Sequence, residues 1–272
     1  MKKKYDIQQF NPQSILMPVF SKAQKTDEFE FCCSLMRIRG CEDAGWDPLL
    51  ESNELINQLL SLIQAPLDDK MKVRLLLFLY CHVTEIDDLY NVIANLLRVC
   101  TGERCSMSPF IGQIHPSGKP ANSPHSKVSR IAEWSNEVGF PEIGKMLTYM
   151  LVKQVRNAFF HSDYIIHENQ FNIKYGEGVL VDNIITKAVP FDWLLPRLEL
   201  GVNIALSTID LIRNHMRSYK EEKTVPARIL TDGGIEDVVL TVHPEYGLTG
   251  FHSLTKEERE KFEQKVNHAK EE

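Results

Sequence analysis

In the run Val155-Arg156-Asn157-Ala158-Phe159-Phe160-His161-Ser162-Asp163-Tyr164, the spacing of an arginine, an amide and a histidine is suited to cleaving RNA. Attack of a 2′-hydroxyl on its neighbouring phosphate needs a base for that proton, an acid for the departing 5′-oxygen, and positive charge on the phosphorane oxygens. The imidazole of His161 can both accept and donate a proton and suits the proton transfers. Arg156 stays charged and offers a planar fork to phosphate oxygens, so it would stabilise charge rather than move protons. Asn157, one helical turn before His161, would hold the imidazole or the phosphate by hydrogen bonding. Lys153, Asp163 and Tyr164 flank these three and are the candidates for contacting substrate. The set calls for no metal and no cofactor.

The elements that must position these residues are helical. Upstream, Ile143, Met146, Leu147, Met150, Leu151, Val155 and Ala158 recur at the spacing of one buried helical stripe. At about 100° per residue, Asn157, His161 and Tyr164 fall in one row and Arg156, Phe160 and Asp163 in the next, both turned from the apolar row. Arg156 and His161 then point roughly 140° apart. To meet at one phosphate, either the helix breaks near Phe160 or a second subunit supplies half the site, and a symmetric dimer would also use the adjacent Phe159 and Phe160.

An arginine, a polar residue directly after it and a histidine beyond four intervening residues, at the end of a long helix, resemble the R-x4-6-H motif of HEPN domains. The resemblance covers mainly residues 141–164, with the helical layout of about 50–220 in support. It implies a mainly α fold, a HEPN-like helical bundle acting as a homodimer, and metal-independent endoribonuclease activity of the toxin or abortive-infection kind, with RNA as substrate and an antitoxin protein as a further partner. Arg156, Asn157 and His161 would be its catalytic residues. In one HEPN subgroup a tyrosine two residues after the histidine is modified by a partner nucleotidyltransferase; Tyr164 lies three after, which puts that modification in doubt. The alternative class is a catalytically silent HEPN-like module that binds nucleotide or protein. A nucleotidyltransferase is disfavoured, since no G-S motif with spaced aspartates and no phosphate-cradling glycine loop occurs.

At 272 residues and 43% hydrophobic, the chain can bury a sizeable core, and its net charge of −6 argues against a general nucleic-acid coat. RNA contact must be local, through Lys145, Lys153 and Arg156, or Lys127 and Arg130, or Arg213, Arg217, Lys220 and Lys223; each group also reads as a solvated face. No apolar segment follows the basic start, so a cytoplasmic protein with reduced cysteines is expected, and the apolar run Leu75–Val83 is too short to span a bilayer. Cys100, Cys105, His115 and His125 match no common zinc spacing.

Three segments are expected: an N-terminal extension 1–48, a helical domain 49–222, and a small α+β attachment 223–272. Helices are predicted over 49–64, 70–99, 126–138 and 190–219. Within 70–99, whose apolar residues including Phe78 should face inward, His82 and Glu85 form either a second polar cluster or a satisfied interior pair. Thr101–His125 is rich in Gly, Ser and Pro, and either lies over the site with His115 or Lys119 near substrate or is a simple connection. A small hairpin is expected around Gly176 and Gly178, a β-turn at Asp232-Gly233-Gly234 between strands 227–230 and 238–242, and a charged helix over 254–269.

Overall fold

The structure, a computed structural model, describes residues 10–37, 47–112, 123–228, 234–255, 257 and 260. Among these it is mainly helical, with small antiparallel sheets. The helices are α1 (Pro12–Thr26), α2 (Glu28–Met36), α3 (Pro48–Ile63), α4 (Asp69–Thr84), α5 (Asp87–Cys100), α6 (Pro124–Val138), α7 (Pro141–Met150), α8 (Lys153–Phe160) and α9 (Phe191–Ser218). Five of them start where a short polar side chain caps free backbone N–H groups: Asn11, Asp27, Asp47, Asp68 and Ser123 each accept one. Pro12, Pro48, Pro124 and Pro141 stand in first turns, where a missing N–H costs nothing.

The core winds around α5 and α9. On α5 eleven of the fourteen residues are buried, Leu89, Val92, Ile93, Leu96 and Leu97 among them, so little of its surface meets water. Helix α9 packs against α1, α4 and α7 and buries Leu194, Leu198, Val202, Ile209 and Leu211. One continuous apolar cluster runs from Leu16 on α1 through both helices to Leu248, so side chains from all three of the expected segments share a core.

Between α8 and α9 lie β1 (Tyr164–His167), β2 (Gln170–Ile173), β3 (Val179–Val181), β4 (Ile184–Thr186) and β5 (Ala188–Pro190). They form a sheet in the order β1-β2-β5 and a separate β3-β4 pair, all antiparallel. The chain closes with β6 (Lys223–Ala227), β7 (Glu236–His243) and β8 (Gly247–Ser253), an antiparallel sheet that packs on α2 and α9.

Several expectations are corrected. The helix expected over 70–99 is two, α4 and α5, interrupted at Glu85-Ile86. The Tyr90 hydroxyl donates to the Thr84 carbonyl at 3.0 Å, satisfying a group the interruption frees. Phe78, expected inside, is 45% exposed. Gly176 and Gly178 do not turn a hairpin; the two tight turns are at Glu168-Asn169, and at Asp182-Asn183, where both residues adopt positive φ as a type I′ turn requires. The first C-terminal strand is Lys223–Ala227, paired with β7 from Lys223 onward, so it begins four residues before the expected 227–230, of which 229 and 230 lie outside the described residues. His115, Lys119, Asp232, Gly233 and most of 254–269 lie outside the described residues. No helix among the described residues is long and apolar enough to cross a membrane.

Candidate active site

The motif begins at a helix break whose cause lies on another helix. The buried Tyr80 of α4 inserts its hydroxyl between α7 and α8, donating to the Met150 carbonyl at 3.1 Å and accepting from the Val152 N–H at 2.8 Å. A side chain inserted into the helical ladder ends it there. The ring rests on Gly201 of α9, where a Cβ would come to 3.1 Å from Tyr80 Cδ2. The expected apolar stripe survives the break: Ile143, Met146, Leu147, Met150, Val155 and Ala158 are buried and Leu151 packs on the core.

The motif ends at a second backbone device. Asp163 N–H donates to the Ala158 carbonyl at 2.8 Å and Ser162 N–H to that of Phe159 at 3.1 Å, with Ser162 at φ +57°. This is a Schellman cap, with a serine in the left-handed position that glycine usually fills. It stops α8 at Phe160 and leaves His161 as the capping residue, its side chain exposed and without a hydrogen bond among the described residues. The chain then enters β1, and the Tyr164 ring is stacked between Phe159 and Phe171, at 5.2 and 5.0 Å between centroids.

An open cleft of about 400 Å³ lies beside this cap, lined by Lys153, Gln154, Asn157, His161, Asp163, Tyr175 and Glu177 among others. The structure thus brings together Lys153, Asn157, His161 and Asp163. Tyr164 is not on the cleft and serves in the aromatic stack. Arg156 is not on it either. Its guanidinium engages the Glu85 carboxylate through Nε and Nη2, donates from Nη1 to Asn157 Oδ1 at 3.2 Å, and lies 5.4 Å from the Phe160 centroid. Helix α8 does break near Phe160, yet the break leaves Arg156 and His161 facing different surroundings, joined only through Asn157.

Glu85, the capping residue of α4, therefore pairs with Arg156 and not with His82. His82 keeps a buried Nε2 with no partner among the described residues, and burial holds its pKa below the ordinary histidine value. Neither expectation for the His82/Glu85 pair is met. Of the other basic candidates, Lys127 is buried and bound to Asp87 at 2.5 Å, so it is turned from solvent; Arg130, Lys145 and Lys223 pair with Glu133, Glu142 and Glu28. Lys153 is the one on the cleft.

The loop after α5 is anchored away from the cleft. Asn95 exchanges two hydrogen bonds with Ser106, and Glu30 accepts from the Cys105 N–H, so residues 101–112 contribute nothing to its walls. The thiols of Cys32 and Cys81 are pushed up to about 12 and that of Cys100 to about 11, all chiefly by burial, which makes them inert packing groups. Cys41 lies outside the described residues. Among the described residues no group of three or more His, Cys, Asp or Glu side chains is placed to hold a metal ion.

The sequence does not reveal Tyr175 and Glu177 as neighbours of His161, nor the pairing of Glu85 with Arg156. Glu85 is seventy-one positions from Arg156, so no local spacing announces their pairing. Tyr175 and Glu177 flank Gly176, where a turn signal was present but its place beside His161 was not. No protein-family model, curated protein or solved structure matches this chain.

Proposed function

We propose that this chain is a HEPN-like endoribonuclease that cleaves RNA by 2′-hydroxyl attack, without a metal, as a two-fold homodimer. The observation that carries the reading is the clustering of Lys153, Asn157 and His161 on one open cleft at the end of α8, with Arg156 hydrogen-bonded to Asn157 from outside it. His161 takes the 2′-hydroxyl proton, the oxygen attacks phosphorus, and the 5′-oxygen leaves with a proton, giving a 2′,3′-cyclic phosphate and a 5′-hydroxyl. Arg156 and Lys153 stabilise the phosphorane charge. Since Arg156 is turned from the His161 cleft of its own chain, a partner subunit supplies the missing arginine, and water protonates the departing 5′-oxygen. Such an activity, restrained by an antitoxin protein, suits a toxin or abortive-infection effector acting in the cytoplasm.

The test is incubation of the purified chain with single-stranded RNA in EDTA. Cleavage with 2′,3′-cyclic phosphate ends is expected, falling about a hundredfold or more in Arg156→Ala and in His161→Ala. Activity abolished by EDTA and restored by Mg²⁺ would overturn the mechanism. A second reading, a catalytically silent nucleotide-binding or protein-interaction module, is favoured by one observation: Glu85 already occupies the Arg156 fork. Binding of RNA without any cleavage would select it.

A further inference from the structure

We propose that the cleft beside His161 contains a nucleobase subsite in which Tyr175 stacks on an unpaired base and Glu177 reads its Watson–Crick edge, selecting guanine. The inference rests on the ribonuclease reading, since it takes RNA to be the ligand of this cleft. Backbone pairing brings the two residues there. The β1–β2 register joins Tyr164 to Ile173 and continues outward with Lys174 N–H donating to the Asp163 carbonyl at 2.8 Å. One residue further, Tyr175 returns beside the cap that carries His161. Gly176, at φ +81°, turns the chain, and Gly178 fixes the far end, because a Cβ there would meet the Thr186 carbonyl oxygen at 2.7 Å. The loop that presents Tyr175 and Glu177 is thus tied at both ends.

Tyr175 is 60% exposed although it lines a concavity, and the Lys174 ammonium lies 4.9 Å from its ring centroid. An exposed ring beside a cation is the arrangement that holds single-stranded nucleic acid, the ring taking a base and the cation a phosphate. The carboxylates point to which base. Asp163 and Glu177 both line the cleft, and neither has an ion-pair partner among the described residues. Beside a phosphate such groups repel, unless the ligand brings hydrogen-bond donors to them. A carboxylate only accepts. On the Watson–Crick edge guanine alone presents two adjacent donors, N1–H and the 2-amino group, whereas adenine, cytosine and uracil each place an acceptor next to a donor. Asp163 is tied into the helix cap two residues after His161, near the reacting phosphate. Glu177 shares the loop of Tyr175 and is the group placed to read a base stacked there.

The experiment titrates the four nucleoside 3′-monophosphates onto the full chain by calorimetry, with RNA cleavage followed in parallel. The guanine nucleotide is expected to bind about tenfold or more tighter than the others. Tyr175→Ala should weaken it by about fivefold to a hundredfold, and Tyr175→Phe should retain it. Glu177→Gln should remove the guanine preference while leaving the other three within about twofold. Both side chains are exposed, so these variants keep the fold. Equal binding of all four nucleotides, no measurable binding, or an unchanged affinity in Tyr175→Ala overturns the subsite. Guanine-selective binding by a chain that cuts no RNA upholds the subsite and removes the ribonuclease reading; cleavage at every base, indifferent to Tyr175→Ala, does the reverse.

Discussion

Two arginines of this protein bind carboxylates at the ends of other helices and do different work. Arg37, the capping residue of α2, is 14% exposed and binds Asp47 at 2.6 Å and Asp88 at 3.3 Å. Asp47 caps α3 and Asp88 stands in the first turn of α5, so one guanidinium fastens three helices from inside a single chain. Arg156 has one carboxylate partner, Glu85, itself 40% exposed, and beside it lies a cleft whose Lys153, His161, Asp163 and Glu177 have no ion-pair partners among the described residues. A charge cluster that holds a fold is closed within itself; one that handles a ligand leaves its groups available. The Arg37 cluster draws both its carboxylates from one chain, and the proposed Arg156/His161 site is complete only with two.

The sharpest way to break this contrast is stability. Arg37→Ala takes a cation from the buried Asp88 and the half-buried Asp47 and should lower unfolding free energy by about 3–5 kcal/mol in urea titration, whereas Arg156→Ala should change it by about 1 kcal/mol or less. Equal losses would erase the distinction. The same pair predicts an acid response. Burial would raise the Asp47 pKa, but hydrogen bonding to Arg37 and its charge win and hold it below the usual carboxylate value. A depressed folded pKa gives stability that is present above the unfolded value of about 3.9 and is lost as pH falls through the folded one. That part of the acid-unfolding profile should disappear in Arg37→Ala.

Tyr80→Phe comes next in size. It removes the hydroxyl between Met150 and Val152 and leaves a buried N–H and carbonyl unsatisfied, for an expected loss of about 1–3 kcal/mol. RNA cleavage by the folded fraction should fall as well, since α8 starts from that contact. Glu85→Gln frees the Arg156 fork and should cost no more than about 1 kcal/mol, while oligonucleotide affinity rises about two- to fivefold. A weaker affinity would mean that Glu85 aims Arg156 instead of occupying it. The smallest change expected is a gain: Ser162→Gly relieves a left-handed serine and should stabilise the chain by about 0.5–1 kcal/mol in thermal unfolding.

Much of this frame was legible in the residues themselves. Asp and Ser caps, first-turn prolines and the stripe from Ile143 to Ala158 act locally, and helices α3, α6 and α9 lie close to their expected bounds. The interruptions at Leu151-Val152 and Glu85-Ile86 were not legible, because neither contains a glycine or proline; tyrosine hydroxyls from Tyr80 and Tyr90 satisfy the freed backbone. The Asp182-Asn183 turn stands near glycines that carry the stronger turn signal, although both of its residue types tolerate positive φ. At the site, the divergence of Arg156 from His161 followed from helical periodicity. The grouping of Tyr175 and Glu177 with His161 did not, since it depends on strand pairing between Asp163 and Lys174.

The composite site is tested most directly by mixing two inactive variants. Arg156→Ala and His161→Ala chains are each expected to be inactive; after unfolding and refolding together, half of the dimers carry one of each, and one of the two sites in those dimers is intact. RNA cleavage should return to about a quarter of the wild-type rate per chain. A mixture that forms such dimers and stays as inactive as its parents, or a wild-type chain that cleaves RNA while sedimenting as a monomer, would contradict the shared site.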